Sequence, residues 1–208
     1  MVTSNHIHLL VLEEGAEGVL ARSMQLIAGR TGQEYNQRKR RQGAFWEDRY
    51  HGTAIESGEH LRRCMAYIDL NMWRAGVVKH PVEWGSCGFH QIQEPPPRYR
   101  IIDRDRVAEV FGYRKGEELA QAQRDWIATS LAAGSTHEVQ WSESLAIGSE
   151  YFIAAVREKL GLQAHFREVE YDNERHVLRE PHSAYGRVFE PENVPLSPEN
   201  TFFWNLSR

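Results

Sequence analysis

Two histidines near the start of the chain have the types and spacing of metal ligands. His6 and His8 lie two positions apart within residues 2–12, whose alternating apolar side chains predict a β-strand. Side chains at i and i+2 of a strand share a face, so the two imidazoles would lie side by side. Completed by a further ligand, a phosphate and waters, such a site would suit Mg²⁺ or Mn²⁺. Paired histidines are also common as polar positions on a solvated strand face.

A tyrosine and an asparagine in the middle of the chain form a second pair. Tyr67 and Asn71 are spaced i and i+4 in a segment that starts near residues 57–60 and predicts a helix to Gly76. If their shared face meets the histidines, Asn71 supplies a third metal ligand and Tyr67 lies beside a metal-bound phosphate. A free phenol, with a pKa of about 10, needs a cation or a base to act as a nucleophile at neutral pH. The alternative is that Tyr67 packs a helix face with its hydroxyl at the surface.

A basic stretch with interleaved aromatic rings lies mostly between these pairs. It begins in an amphipathic segment that predicts a helix over residues 19–37. Cations that contact phosphates and rings that stack on bases, at roughly 1–3 kcal/mol per base, are what single-stranded nucleic acid requires. A solvated charge run is the alternative, since basic residues at a helix end also offset the helix dipole. The candidate DNA contacts are Arg22, Arg30, Arg38, Lys39, Arg40, Arg41, Trp46, Arg49, Tyr50 and Arg74.

The composition indicates a folded polypeptide of one or two domains. The chain has 208 residues, a formal net charge of -4, 41 % hydrophobic residues and 26 % charged residues. This mildly acidic balance argues against coating of nucleic acid by bulk charge. Two isolated cysteines, Cys64 and Cys87, exclude a disulfide scaffold and a structural zinc module. No apolar run of about 18 residues and no leader pattern occurs, so we expect a cytoplasmic location and no membrane partner.

A proline run divides the sequence. Glu94–Pro97 predicts a linker between a domain over residues 1–94 and a helical extension over residues 98–168. Residues 169–208 are polar and contain four prolines, which indicates a loosely ordered tail. The helices predicted in the extension cover residues 104–111, 117–132 and 149–160.

Three motifs in this order resemble those of a known family. They are Ser4-Asn5-His6-Ile7-His8-Leu9-Leu10-Val11, Phe45-Trp46-Glu47-Asp48-Arg49-Tyr50 and Tyr67-Ile68-Asp69-Leu70-Asn71-Met72-Trp73-Arg74-Ala75-Gly76-Val77-Val78. Together they resemble the REP-associated tyrosine transposases, which belong to the HUH single-tyrosine transposases. The resemblance covers residues 2 to about 88, and Leu145–Leu160 is similar to a helical extension of some members. Met72-Trp73 departs from the Pro-Val that is usual in the family.

The resemblance implies both a fold and an activity. The fold would be α+β, a ferredoxin-like antiparallel sheet with helices, followed by the helical extension. His6, His8 and Asn71 would bind Mg²⁺ or Mn²⁺, and Tyr67 would attack a phosphodiester of single-stranded or hairpin DNA. The products would be a 5′-phosphotyrosine and a free 3′-hydroxyl, and reverse attack would rejoin strands, as in DNA transposition. We also consider a homodimer as the oligomeric state of the protein.

Two further expectations follow from the resemblance. Family members usually carry a strand, a helix and another strand before the histidine motif, so we expect an N-terminally incomplete sheet.

The enzyme hypothesis requires Tyr67 and both histidines in one pocket. A non-catalytic DNA-binding remnant requires only the basic surface, and a metal-dependent nuclease without a covalent step predicts no protein–DNA adduct. Tyr50 is the competing nucleophile, but Ala54, four residues on, is not a metal ligand.

Overall fold

The chain adopts an α+β fold in the computed structural model, which describes residues 1–3, 6–14, 16, 18–134, 138, 140–172 and 175–180. The helices are α1 (Val19–Lys39), α2 (Glu59–Asp69), α3 (Asn71–Arg74), α4 (Gly88–Gln93), α5 (Arg104–Val110), α6 (Gly116–Ala132), α7 (Gln140–Glu143) and α8 (Glu150–Leu160). The strands are β1 (Ala54–Ile55), β2 (Ser144–Gly148), β3 (Glu168–Asp172) and β4 (Arg175–Arg179). Among the described helices, none combines the length and the apolar character that a membrane span requires.

The four strands form one mixed sheet in the order β1-β2-β4-β3. β2 and β4 pair antiparallel, as do β3 and β4, whereas β1 pairs parallel with β2. A fully antiparallel sheet is therefore the wrong prediction, because a long, largely helical connection returns the chain to β2 in the direction of β1. Ile147 lies opposite Val177 and Ala146 opposite Leu178, and all four side chains are fully buried.

The strand predicted over residues 2–12 is wrong. The described residues of this segment contain an isolated bridge between Val2 and Ile7, so residues 1–3 and 6–8 lie antiparallel to each other instead of forming one strand. Residues 9–12 are between 42 % and 52 % exposed and belong to no strand. The alternating pattern expresses a preference for extended backbone, but a strand also needs a neighbour that completes its hydrogen-bond ladder.

The C-terminal third departs from the predicted helical extension and tail. Its helices lie close to where the sequence predicts them, but β2 precedes α8, and β3 and β4 form a hairpin at the start of the predicted tail. Val177 and Leu178 are buried where β4 pairs with β2. Two apolar residues within a polar segment do not predict such a tertiary contact from sequence. Residues 181–208, the remainder of the predicted tail, lie outside the described part of the chain.

The hydrophobic core draws on both sides of Glu94–Pro97. One buried cluster joins Leu70 and Phe89 to Ile127 of α6, and a second joins Ile92 of α4 to Leu119 of α6. The division at residues 94 and 98 stays a sequence prediction, and side chains from the two segments pack together across it. The end of α2, which carries Tyr67, therefore shares a core with the extension.

Candidate functional site

Tyr67 and Asn71 lie where two helices meet. Tyr67 belongs to the last turn of α2 and is 5 % exposed, and Asn71 is the first residue of α3. The chain keeps its helical direction across the junction, because the Leu70 amide donates to the Ala66 carbonyl at 2.9 Å and the Arg74 amide donates to the Leu70 carbonyl at 2.9 Å. The residues that bear the phenol and the carboxamide are thus separated by one helical turn, as their spacing predicts.

Residues 1–3 fix the position of the histidines at this junction. The His8 amide donates to the Met1 carbonyl at 3.0 Å, which ties His8 to the N-terminus. The Val2 amide donates to the Ser86 carbonyl at 2.9 Å, and Trp84 Nε1 donates to the Val2 carbonyl at 3.0 Å. These bonds hold residues 1–3 on the segment before α4, and Met1 packs in the same buried cluster as the end of α2.

The four predicted catalytic and metal-binding residues form one cluster. The ring centroids of His6 and His8 are 4.8 Å apart, so the two imidazoles are neighbours even though the predicted strand does not form. Asn71 Nδ2 lies 3.3 Å from His8 Nε2, and the His8 ring centroid lies 6.2 Å from that of Tyr67. Side chains from two distant parts of the sequence thus meet at one point, which we call the His–Tyr cluster.

The electrostatics of the cluster keep His8 uncharged. Burial lowers the pKa of His8 to about 4, and the neighbouring charges of His6 and Arg74 act in the same direction. His8 is therefore neutral at pH 7 and keeps a nitrogen lone pair that a cation or a proton donor would use.

The donor set of the cluster fits a divalent cation. Among the described residues, no group of three or more His, Cys, Asp or Glu side chains is arranged to hold a metal ion, so a site here depends on the amide of Asn71. Rotation of that amide would present its oxygen to the point now faced by Nδ2. Two imidazoles and one amide oxygen suit Mn²⁺ or Mg²⁺ when phosphate and water complete the coordination.

Arg74 covers the ring of Tyr67. Its Cζ atom lies 3.9 Å from the ring centroid, and its Nη2 donates to the Tyr67 carbonyl at 2.7 Å. That carbonyl belongs to the last turn of α2, where backbone oxygens have no partner within the helix. Burial is the main cause of a lowered pKa for Arg74. Arg74 therefore caps α2 and holds the phenol ring at the same time.

Sequence reasoning missed the residues that close the cluster from the C-terminal side. The Trp141 ring lies 6.4 Å from the Tyr67 ring, and Trp141 Nε1 donates to Glu138 Oε2 at 3.0 Å. Arg175, only 4 % exposed, donates from Nη1 to the same oxygen at 3.0 Å. No local motif marks these residues, since each is far from Tyr67 in sequence. Packing of α7 positions Trp141 at the site, and packing of β4 positions Arg175.

The predicted DNA contacts divide into two groups. Arg74 lies in the His–Tyr cluster, whereas the other nine lie on α1 or in the segment that follows it. Within α1, Gly32 is the buried residue, so the helix presents most of its surface to solvent. The exposed candidates of this second group are Arg22, Arg30, Arg38, Lys39, Arg40, Arg41, Arg49 and Tyr50.

Aromatic side chains fold the segment after α1 back against that helix. Trp46, the remaining candidate, is half-buried, and its Nε1 donates to the Ala28 carbonyl at 3.0 Å. The Phe45 ring lies 4.6 Å from Tyr35 and 4.8 Å from Trp46. Gly32 permits this approach, because a Cβ atom there would lie 3.3 Å from Phe45 Cβ. The basic residues at the end of α1 are thus displayed beside a small aromatic cluster.

Comparison with known proteins returns no match to a protein-family model, a curated protein or a solved structure. The resemblance to the REP-associated tyrosine transposases therefore stays a prediction that rests on three motifs. The roles of the residues in the His–Tyr cluster are therefore inferred from the chemistry of their side chains and from their arrangement.

Proposed function

We propose that the chain is an HUH-type enzyme related to the REP-associated tyrosine transposases, which cuts single-stranded DNA through a covalent bond to Tyr67 and transfers the strand. A ferredoxin-like HUH organisation of the fold belongs to the same proposal. The observation that carries it is the His–Tyr cluster. The cluster contains the nucleophile and the three metal ligands that the motifs imply, and it is assembled from two separate segments of the chain.

The proposed step is a transesterification at phosphorus. The phenol oxygen of Tyr67 forms a bond to phosphorus, the bond from phosphorus to the 3′-oxygen breaks, and the phenol loses its proton. The leaving oxygen takes up a proton and becomes a 3′-hydroxyl. The products are a 5′-phosphotyrosine and a free DNA end. Attack by another 3′-hydroxyl breaks the tyrosine–phosphorus bond and rejoins a strand, so no external energy source is needed.

The residues around Tyr67 orient and assist the nucleophile. Arg74 lies over its ring and Trp141 lies beside it, which restricts rotation of the phenol. His6, His8 and Asn71 would hold Mg²⁺ or Mn²⁺, and the cation, when bound, would offset negative charge on the phosphate under attack. Because His8 is neutral at pH 7, it need not release a proton before it binds the cation.

The exposed basic surface of α1 supplies the proposed DNA contact. Arginine and lysine side chains there would contact phosphates without reading sequence, and the neighbouring rings would stack on unpaired bases. Single-stranded or hairpin DNA suits this surface, because both present unpaired bases.

Trapping of the covalent intermediate tests the proposal. Hairpin oligonucleotides with randomised loops and flanks, labelled at the 3′ end, are incubated with the protein and Mn²⁺ and separated on a denaturing gel. Because the 5′ phosphate of the downstream fragment stays on the protein, the label should move with the protein band. We expect the labelled band with the wild type and with Tyr50→Phe, and its loss with Tyr67→Phe.

Other outcomes contradict the proposal in distinct ways. An adduct lost in Tyr50→Phe and kept in Tyr67→Phe would make Tyr50 the nucleophile. Cleavage without an adduct would indicate a metal-dependent nuclease without a covalent step. Binding without cleavage would indicate a non-catalytic DNA-binding remnant.

A further inference from the structure

The guanidinium of Arg74 has one end held and one end without a partner. Nη2 is engaged by the Tyr67 carbonyl, and the planar group lies over the Tyr67 ring. Nη1 is buried and has no hydrogen-bond partner among the described residues. An arginine cation keeps its charge at neutral pH, so a buried N–H group of this kind favours an acceptor of negative charge.

This arrangement differs from the other buried arginine groups. In the described part of the chain, the other buried arginine nitrogens without a partner are Nε atoms, of Arg104, Arg167, Arg175 and Arg179. A terminal Nη carries two N–H groups on the outer edge of the fork, where carboxylates and phosphates bind. In Arg74 the guanidinium lies over the ring that bears the proposed nucleophile, with Cζ 3.9 Å from the ring centroid.

The neighbours of Arg74 favour a phosphate over a carboxylate side chain as the acceptor. Glu138, whose charge acts on Arg74, already accepts hydrogen bonds from Trp141 and Arg175 through Oε2. The imidazole of His8 lies against the same tyrosine, with ring centroids 6.2 Å apart, and carries no anionic group that would compete for Arg74. The cation is therefore fixed and desolvated, and Nη1 keeps a hydrogen-bonding capacity that no described residue uses.

We propose that Nη1 of Arg74 binds a non-bridging oxygen of the phosphodiester that Tyr67 attacks. The inference rests on the proposed function for the identity of that phosphodiester, while phosphate binding itself requires neither the metal nor cleavage. Arg74 would thus orient the phosphate against the ring that it already holds. A purely structural role, capping of α2 and packing on Tyr67, would give no dependence on phosphate charge.

The test measures binding of the thymidine dinucleotide dTpdT by NMR in EDTA, so that neither cleavage nor a metal contributes. Its methylphosphonate analogue, which lacks the negative charge, is titrated in parallel. We expect dTpdT to shift the guanidinium signals of Arg74, assigned through their NOEs to the Tyr67 ring, and the analogue to bind at least about tenfold more weakly. Arg74→Gln should weaken dTpdT binding by about tenfold to a hundredfold. The matched control Arg157→Gln, an exposed arginine of α8, should leave it unchanged.

Several results would overturn the inference. They are no saturable dTpdT binding, equal affinity for the neutral analogue, guanidinium signals that stay fixed during the titration, or equal weakening by Arg157→Gln. The comparison of the two ligands uses only the wild-type protein, so it remains decisive if Arg74→Gln fails to fold. Phosphate binding without an adduct would retain this inference and reject the proposed reaction.

Discussion

Gln123 donates a hydrogen bond of 2.7 Å from Nε2 to Asp69 Oδ2 where both side chains are buried. Gln93 extends the chain of contacts, because its Nε2 donates to Gln123 Oε1 at 2.7 Å. Three polar side chains thus tie α4 and α6 to the last residue of α2, two positions before Asn71. This link holds the end of the helix that presents Tyr67.

The burial of Asp69 predicts a pH-dependent stability. Burial raises the pKa of Asp69 from 3.8 to about 7, although the bond from Gln123 opposes the shift. Between about pH 4 and pH 7 the folded protein holds a proton that the unfolded chain has released. The contribution of Asp69 to the free energy of unfolding should therefore fall as the pH rises through this window, by up to roughly 1.4 kcal/mol per pH unit, and level off above pH 7. The lowered pKa of His8 contributes a slope of the opposite sign below about pH 6.5, so the effect of Asp69 is measured against a variant that lacks its carboxyl.

Urea unfolding at pH 5, 6, 7 and 8 measures this dependence. Asp69→Asn keeps an acceptor for Gln123 and removes the Asp69 titration, so the free energy of unfolding of the wild type relative to that of the variant should fall as the pH rises from 5 to 7. Asp125→Asn, an exposed position on α6, is the matched control and should keep the wild-type slope. Equal slopes for the wild type and Asp69→Asn would show that Asp69 is not the group that titrates.

Gly148 is predicted to tolerate no side chain. A Cβ atom there would lie 2.6 Å from Phe152 Cδ1 and 2.8 Å from Glu56 Cβ. Glu56 has no room to retreat without loss of its bonds to Ser149, whose amide and hydroxyl both donate to the Glu56 carboxylate. Gly148→Ala should therefore destabilise the protein by about 1–3 kcal/mol in urea unfolding. Gly85→Ala, where no atom lies within 4 Å, should stay near the wild type, and a similar loss in both would contradict the packing argument.

The metal hypothesis predicts that Mn²⁺ binding depends on His8. Removal of one of three protein donors should weaken binding by at least about tenfold, the lower bound known for loss of an outer-shell partner. Equilibrium dialysis of the wild type and His8→Ala measures the change, with His165→Ala, an exposed histidine, as the control. Unchanged Mn²⁺ affinity in His8→Ala would remove the His–Tyr cluster as the metal site.

The basic end of α1 predicts a salt-dependent contact with single-stranded DNA. Replacement of residues 38–41 by glutamine removes four cations, so the slope of log K against log salt for an oligothymidylate should become shallower by about 2 to 3. Arg38 is already paired with Glu34, so the change in slope should be smaller than that expected for the loss of four unpaired cations. Arg157→Gln with Lys159→Gln is the control on α8, and an equal change there would indicate a bulk charge effect.

Local patterns in the sequence predict α1, α5, α6, α8 and a single helix over the residues of α2 and α3, whereas α4 and α7 were not predicted. The cap at α8 is an example, since Ser149 accepts the Phe152 amide, and Asp103 caps α5 in the same way through Arg106. His6 and His8 are also adjacent, although not through the predicted strand. These features depend on neighbours within a few residues, which a single sequence displays.

Features that depend on distant partners were not predictable in this way. Residues 9–12 have a strand pattern but pair with no described strand, whereas the polar segment of β3 becomes a strand because β4 is there to pair with it. Trp141 and Arg175 join the site through packing of α7 and β4. Their roles follow from tertiary contacts, for which residue type and spacing provide no local signal.

The parallel pairing of β1 with β2 sets an order of assembly during synthesis. Residues 54–55 leave the ribosome long before residues 144–148, so β1 cannot pair with β2 until the later segment has been synthesised. The helices α1, α2 and α4 can form earlier, because they depend on local contacts. Trp141, which packs beside Tyr67, is also synthesised late. Before it emerges, the apolar side chains around Tyr67 are exposed on the nascent chain. We expect chaperone binding and aggregation to occur mainly in this interval.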